Sequence, residues 1–286
     1  MIQSALTPDY EDYKTRTTTK LKENIILHDF LVDRLIHADV ARIQNDDTFF
    51  VFEDTVRNMI LFWLRDEWIG RNIPKTDDID EVDGTDSVSH MAEFKKKVVQ
   101  KSNEKSEWTM ESQIQPPNGL LPFRGLSIYA MPVCYLHAGL DGAYMMFREL
   151  YVRYFHPLHT LSPHHPSLLT LSTLFESLFK QTNSKLYLHL FHTISSPPHN
   201  TAFGWIMFGF IGYLDIEQTL LLWDRIIGFE GGLELVAVLA VGVFLFYEER
   251  LVGARTEKEA QYILSDLSEL KVVPLIQYVL FVVNNE

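Results

Sequence analysis

Residues 221–247 read LLWDRIIGFEGGLELVAVLAVGVFLFY, and this stretch decides the fold class. Its second part, residues 233–247, is apolar all round when it is drawn as a helix, and a helix of that kind is buried. Its run without charged side chains, residues 235–247, covers 13 residues, whereas a membrane-spanning helix needs roughly 20. The stretch therefore predicts a helix in the middle of a core, preceded by a helix that ends at Gly231-Gly232.

Helix signals recur along most of the chain. Apolar residues follow helical spacing over residues 20–37, with Asp33 among the side chains on the polar side, and again over residues 49–68. The predicted helix starts are Ser167, Asp215 with Gln218, Thr256 with Glu259, and Pro274 at the first position of a last helix. No alternation of apolar and polar residues indicates a strand. The sequence predicts an all-α fold of seven to ten helices.

Composition divides the chain into parts. Residues 1–19 are a polar N-terminal segment, and residues 20–286 form the helical domain. Residues 70–119 interrupt it with an acidic run followed by a lysine-rich run, and few apolar residues lie between them. We expect this insertion to be a disordered, solvated loop, because it is longer than the loops of compact domains. Recruitment of a partner by its charges is the alternative.

Charge and cysteine content restrict the class of protein. The chain has 25 basic and 38 acidic residues, a formal net charge of −13, which argues against nucleic-acid binding. Cys134 is the single cysteine, so no intrachain disulfide forms, and we expect a buried thiol in a reduced compartment. The N-terminus has no secretory or transit pattern. The prediction is a cytoplasmic protein without a transmembrane segment.

Common catalytic motifs are missing from the sequence. It contains no G-x-x-x-x-G-K-[ST], G-x-G-x-x-G or G-x-S-x-G pattern, which weakens the interpretations as a P-loop nucleotide-binding protein, a dehydrogenase or a hydrolase. Four histidines lie close together, but prolines separate them and no Cys or H-E-x-x-H accompanies them; they are His156, His159, His164 and His165. A solvated Pro/His loop is the better interpretation than a metal site. No metal and no cofactor are predicted.

Two motifs point to a family. Residues 36–42 read IHADVAR, which has the form I-x-x-D-x-x-R, and residues 221–228 read LLWDRIIG. With PFRGLS at residues 122–127 and FRELYVRYF at 147–155, they resemble the TBC domain, the all-helical domain of GTPase-activating proteins for Rab GTPases. The resemblance covers about residues 20–284 except the insertion. The R-x-x-W helix with which the family begins is not found before Ile36, so we expect a domain that lacks its first helices.

The resemblance implies which residues act. In this family an arginine from I-x-x-D-x-x-R and a glutamine from Y-x-Q-G enter the nucleotide site of the Rab. Arg42 matches the arginine, and Asp39 is placed to hold it. Arg124 stands where the family has glutamine, followed by Gly125 at a backbone turn. Trp223 and Asp224 are expected to be structural, the first in the core and the second as a cap or ion-pair partner.

The expected role is that of an enzyme regulator, with a Rab-family GTPase as partner. GTP and Mg²⁺ would belong to that partner, and contact with endomembranes would come only through it. One alternative is a catalytically inactive TBC module that binds a Rab or another partner as a scaffold. Another is a membrane-embedded protein that uses residues 202–214 and 235–247, against which the short spans argue. Judged from spacing alone, Arg42 is also compatible with an ordinary surface arginine.

Overall fold

The computed structural model describes residues 8–28, 30–42, 50–74, 116–229 and 232–282. Within these ranges the secondary structure is helical, and none of it is strand. The helices are α1 Pro8–Leu27, α2 Asp33–Val40, α3 Glu53–Arg65, α4 Glu67–Asn72, α5 Met131–Leu136, α6 Leu140–Leu150, α7 Leu168–Thr182, α8 Ser184–Leu188, α9 Pro198–Met207, α10 Ile216–Gly228, α11 Glu234–Phe246, α12 Glu248–Gly253, α13 Glu257–Ile263 and α14 Val272–Gln277. The all-α prediction is confirmed.

Shorter helical turns complete the description. Two 3₁₀ turns, Phe50–Phe52 and Leu126–Ala130, precede α3 and α5. Three π-helical turns extend α6, α8 and α14; they are Tyr151–Phe155, His189–Thr193 and Tyr278–Val282. A last turn, His156–Leu158, follows the first of these.

Helix α11 lies at the centre of the C-terminal half. Ten of its thirteen residues, 235–244, are buried, and it packs against α7, α9 and α14. The predicted central helix is therefore confirmed. The N-terminal half is organised around α3, which contacts α1, α2, α6 and the turn Leu126–Ala130. Cys134 on α5 is buried, and its burial raises the pKa of the thiol to about 12.

In the structure the helical domain begins earlier than residue 20, where the sequence predicts its start. Helix α1 begins at Pro8, crosses residue 20 without a break, and packs on α3 and α6. Lys22 pairs with Asp141 at 2.9 Å, and the Arg148 guanidinium donates to the Tyr13 hydroxyl at 3.2 Å. Residues 8–19 are therefore part of the helical domain, although their polar composition predicts a separate segment.

Both ends of the predicted insertion also belong to the fold. Helix α4 continues to Asn72, and Asn118 is buried with its side chain donating to the Trp63 carbonyl at 2.8 Å. A Cβ on Gly70 would lie 2.2 Å from the Asn118 carbonyl oxygen, so the chain passes too close for a side chain there. Residues 75–115, which carry the charged runs, lie outside the described residues.

The predicted helix starts are largely as expected. Ser167 forms a reciprocal capping box with Thr170, and Asp215 and Thr256 accept from the amides of Gln218 and Glu259. The second half of the Asp215 box is not formed, because the Gln218 side chain accepts from the Val272 amide at 3.0 Å. Gln218 thus joins α10 to α14. Pro274 is the third residue of α14 rather than the first. Among the described residues, no helix combines the length and apolar character needed to cross a bilayer.

Candidate functional site

Asp39 is the centre of the candidate site. It lies near the end of α2 and is 7% exposed. Its Oδ1 accepts from the Gly125 amide at 2.7 Å and from Arg42 Nη1 at 3.1 Å. Its Oδ2 accepts from the amide and the hydroxyl of Ser127 at 3.0 and 2.7 Å. One carboxylate thus joins the I-x-x-D-x-x-R segment to the segment that follows Arg124.

Position 125 requires a glycine for two reasons, its backbone conformation and the closeness of a neighbouring side chain. Its φ is +95°, a conformation that residues with a side chain rarely adopt. A Cβ at this position would also lie 2.7 Å from Cζ of Phe208. The turn directs the Gly125 amide at Asp39 and leaves the Arg124 side chain exposed.

Arg42 and Arg124 line one cavity of about 420 Å³. The described residues around it are Asp39, Arg42, Arg124, Gly125, Ser127, Ile128, Met131, Phe208 and Gly212. Arg42 is half-exposed, and within the described part of the chain Arg124 has no ion-pair partner. Two guanidinium groups against one carboxylate leave this lining with a net positive charge. The cavity therefore suits an anion such as a phosphate.

Helix α2 is fixed in place by a buried ion pair that sequence reasoning missed. Arg65 Nη2 lies 2.6 Å from Asp33 Oδ2, and Arg65 Nη1 lies 2.9 Å from Asp33 Oδ1. Arg65 also donates to the His28 carbonyl, and its guanidinium lies 4.8 Å from the centre of the Phe30 ring. The sequence places Asp33 on the polar side of its helix, and in the structure Arg65 gives it a buried partner there. Sequence offers only a weak signal, an arginine at the end of the apolar α3.

Trp223 and Asp224 lie outside this cavity. Trp223 is 5% exposed, its indole donates to the Gly209 carbonyl at 3.2 Å, and it packs against Phe155. Gly209 has no side chain to obstruct this contact, since a Cβ would lie 2.5 Å from the Trp223 ring. Asp224 is exposed, 3.6 Å from Arg225. The structure thus places the tryptophan in the core and the aspartate at the surface.

The four clustered histidines separate into two pairs. His156 and His159 pack against aromatic side chains, and loss of hydration lowers the pKa of His156 to about 4 and that of His159 to about 3. His159 Nε2 lies 3.1 Å from the Tyr151 hydroxyl. For this pair the solvated-loop interpretation was wrong, because the helix continues through Pro157. His164 and His165 are exposed, and no cluster of three metal-ligating side chains occurs among the described residues.

Comparisons with known proteins agree with the motifs found after residue 122, whereas residues 36–42 lie outside the matching family model. Residues 123–252 match the sequence model of the Rab-GTPase-TBC domain. The chain is 39% identical over 265 residues to TBC1 domain family member 19 of Homo sapiens, across 92% of this chain and 46% of that protein. The chain thus spans about half the length of this relative. No solved structure matches this chain. The match to the Rab-GTPase-TBC domain family is therefore carried by residues 123–252, and the likeness to this relative extends beyond them.

Proposed function

We propose that this chain is a GTPase activator for a Rab-family GTPase and that Arg42 is the residue it inserts into the partner's nucleotide site. The observation that carries the proposal is the Asp39 carboxylate, which holds Arg42 at 3.1 Å and the turn after Arg124 at 2.7 Å. Arg42 is therefore held at the edge of the cavity by its bond to Asp39, and its side chain remains half-exposed.

The chemistry of GTP hydrolysis needs such a group. Negative charge builds on the terminal phosphate oxygens as water attacks, and a guanidinium supplied in trans neutralises it, for a gain on the order of 10³–10⁵ in rate. One of the five N–H donors of Arg42 binds Asp39, so the others remain for phosphate. GTP and Mg²⁺ belong to the partner in this scheme, and the chain regulates an enzyme instead of holding a substrate of its own.

Arg124 gives the site a second cation. It has no acceptor atom, so it cannot orient an attacking water in the way that a glutamine amide does. In the proposed mechanism Arg124 binds phosphate oxygens, and a glutamine of the GTPase positions the water. Recruitment to endomembranes would follow from the partner, with the chain itself cytoplasmic.

One observation favours a second candidate function. Where the family motif has a glutamine, this chain has Arg124, and a site with two arginines can bind a GTP-loaded partner without accelerating hydrolysis. The chain would then be a binding module that occupies the same surface of the Rab.

Single-turnover GTP hydrolysis by a panel of purified Rabs distinguishes the two functions. We expect at least tenfold acceleration of one Rab, loss of the acceleration in Arg42→Ala, and its retention in Arg34→Ala. Arg34 is a matched control because it lies exposed on α2, which ends two residues before Arg42, and because its substitution removes the same charge. Binding of a GTP-loaded Rab without acceleration would establish the second function. Neither binding nor acceleration by any Rab would overturn both.

A further inference from the structure

A second cavity of about 430 Å³ lies between α5, α6 and α10. Its described lining is Pro132, Val133, Leu136, Met146, Leu150, Phe155, Ile211, Glu217, Leu220, Leu221, Trp223, Asp224 and Ile227, and we name it the apolar groove. It adjoins the Arg42 cavity, because Phe208 and Gly212 line that cavity while Ile211 lines the groove. The groove plays no part in the mechanism proposed above.

One wall of the apolar groove is a stripe along α10. Its members recur at the spacing i, i+3, i+4, i+7 and i+10; they are Glu217, Leu220, Leu221, Asp224 and Ile227. At 1.5 Å per residue the stripe is about 15 Å long, close to three helical turns. Ile227 is 45% exposed, and Leu136 on the facing wall is 48% exposed. Leu220, Leu221 and Ile227 form the apolar part of this wall, and they are at least partly open to solvent.

The base of the groove is rigid. Trp223 is fixed by its bond to the Gly209 carbonyl and by its contact with Phe155, whose ring centre lies 4.9 Å away. A binding site whose base is already packed loses little conformational entropy when it is filled.

Charge identifies the kind of occupant. Glu217 and Asp224 are the charged side chains of the groove, both are exposed, and no lysine or arginine is among its described lining residues. Glu217 has no ion pair within the described ranges, and Asp224 lies 3.6 Å from Arg225, a weak contact for an exposed pair. An occupant with Lys or Arg beside its apolar anchors would satisfy both carboxylates.

We propose that the apolar groove is a docking site for an amphipathic helix of a protein partner, with apolar residues at i, i+3, i+4 and i+7 and basic residues on either side. The length of the α10 stripe fits such a helix, and helix-in-groove recognition uses this spacing. A second copy of the chain fits less well, because a two-fold contact through this surface brings Glu217 and Asp224 of both copies together. A small apolar molecule would leave the carboxylates unused.

The test uses a fluorescein-labelled 18-residue peptide with leucines on one helical face and lysines at their borders. A peptide of the same composition with the leucines scattered is its control. We expect saturable one-to-one binding by anisotropy, at least tenfold weaker for Leu221→Glu and for Leu136→Glu and unchanged for Val252→Glu. Val252 is a matched control, since it is 54% exposed on α12, outside the groove. Thermal unfolding of each variant verifies that it is folded.

Charge reversal sharpens the test. The double variant Glu217→Lys with Asp224→Lys is expected to lose at least tenfold in affinity for the lysine peptide and to gain at least tenfold for a glutamate version of it. Equal binding of the scattered peptide would overturn the proposal, because it would show general attraction to a chain of net charge −13. If sedimentation shows that the parent chain is a dimer and that Leu221→Glu is a monomer, the proposal would be overturned in favour of self-association. An apolar dye that binds in the groove and is not displaced by the peptide would overturn it in favour of a small-molecule site.

Discussion

Asp39 Oδ2 accepts hydrogen bonds from both the amide and the hydroxyl of Ser127, although Asp39 and Ser127 are 88 positions apart in the sequence. Together with the bonds of Oδ1 to Gly125 and Arg42, this gives the buried carboxylate four donors. The arrangement ties the position of Arg42 to the fold of the Arg124 turn, so a change at Asp39 affects both arginines at once.

Asp39→Ala is expected to lower the free energy of unfolding by about 3 kcal/mol, because it leaves the buried amides of Gly125 and Ser127 without an acceptor. Urea unfolding followed by circular dichroism measures the change. Asp54→Ala is the control, since Asp54 is 86% exposed and pairs with Arg57 at the surface, where the expected cost is below about 0.5 kcal/mol. Equal costs for the two variants would contradict the central role of Asp39.

Gly125→Ala is expected to destabilise the chain more than Gly119→Ala. Both glycines have positive φ, so both variants carry a backbone penalty of about 1 kcal/mol. At Gly119 no atom lies within 4 Å of the added Cβ, whereas at Gly125 the Phe208 ring lies 2.7 Å away. We expect about 2 kcal/mol more for Gly125→Ala, in urea unfolding, and partial recovery when Phe208→Leu is added. Similar losses at the two glycines would show that the ring moves aside freely.

Arg124→Gln is expected to raise the rate of GTP hydrolysis by the cognate Rab at least about tenfold, because a glutamine amide can accept from and donate to the attacking water. Single-turnover hydrolysis measures the rate, and Arg153→Gln, an exposed arginine on the π-helical turn after α6, is the control for charge. A rate equal to that of the parent chain would show that position 124 does not reach the reacting water.

Local signals in the sequence predicted much of the fold. The buried helix α11 and the caps at Ser167, Asp215 and Thr256 follow from residues within four positions of one another, which a reader of the sequence can see. The partner of the Gln218 side chain was not predictable, since its oxygen accepts from the amide of Val272, 54 residues away.

The candidate site shows the same limit. The contact of Asp39 with Arg42 follows from their spacing of three, whereas the bonds to Gly125 and Ser127 depend on tertiary structure. The burial of Asp33 was not predictable, because Arg65, its partner, is 32 positions away. Sequence could place motifs on helices, but only the packing of those helices shows which charges are buried.

Asp33→Ala is expected to lower the free energy of unfolding by about 3 kcal/mol, because it leaves the fully buried Arg65 side chain without its carboxylate. Adding Arg65→Met should recover part of the loss, since the second change removes the uncompensated charge. Urea unfolding of the two single variants and the double variant measures the coupling. A double variant that loses the sum of both single costs would show that the two residues act separately.

Acid is expected to destabilise the chain through His156, whose pKa in the folded chain, about 4, lies below the ordinary value of 6.5. Between pH 7 and pH 5 the unfolded chain binds a proton at this ring and the folded chain does not, so the free energy of unfolding falls as the pH falls. We expect His156→Leu to lose about 2 kcal/mol less than the parent chain over this interval. Urea unfolding at both pH values measures each difference within one variant, which cancels the effect of the substitution itself. Equal losses of stability in His156→Leu and in the parent chain over this pH interval would show that His156 is hydrated in the folded chain.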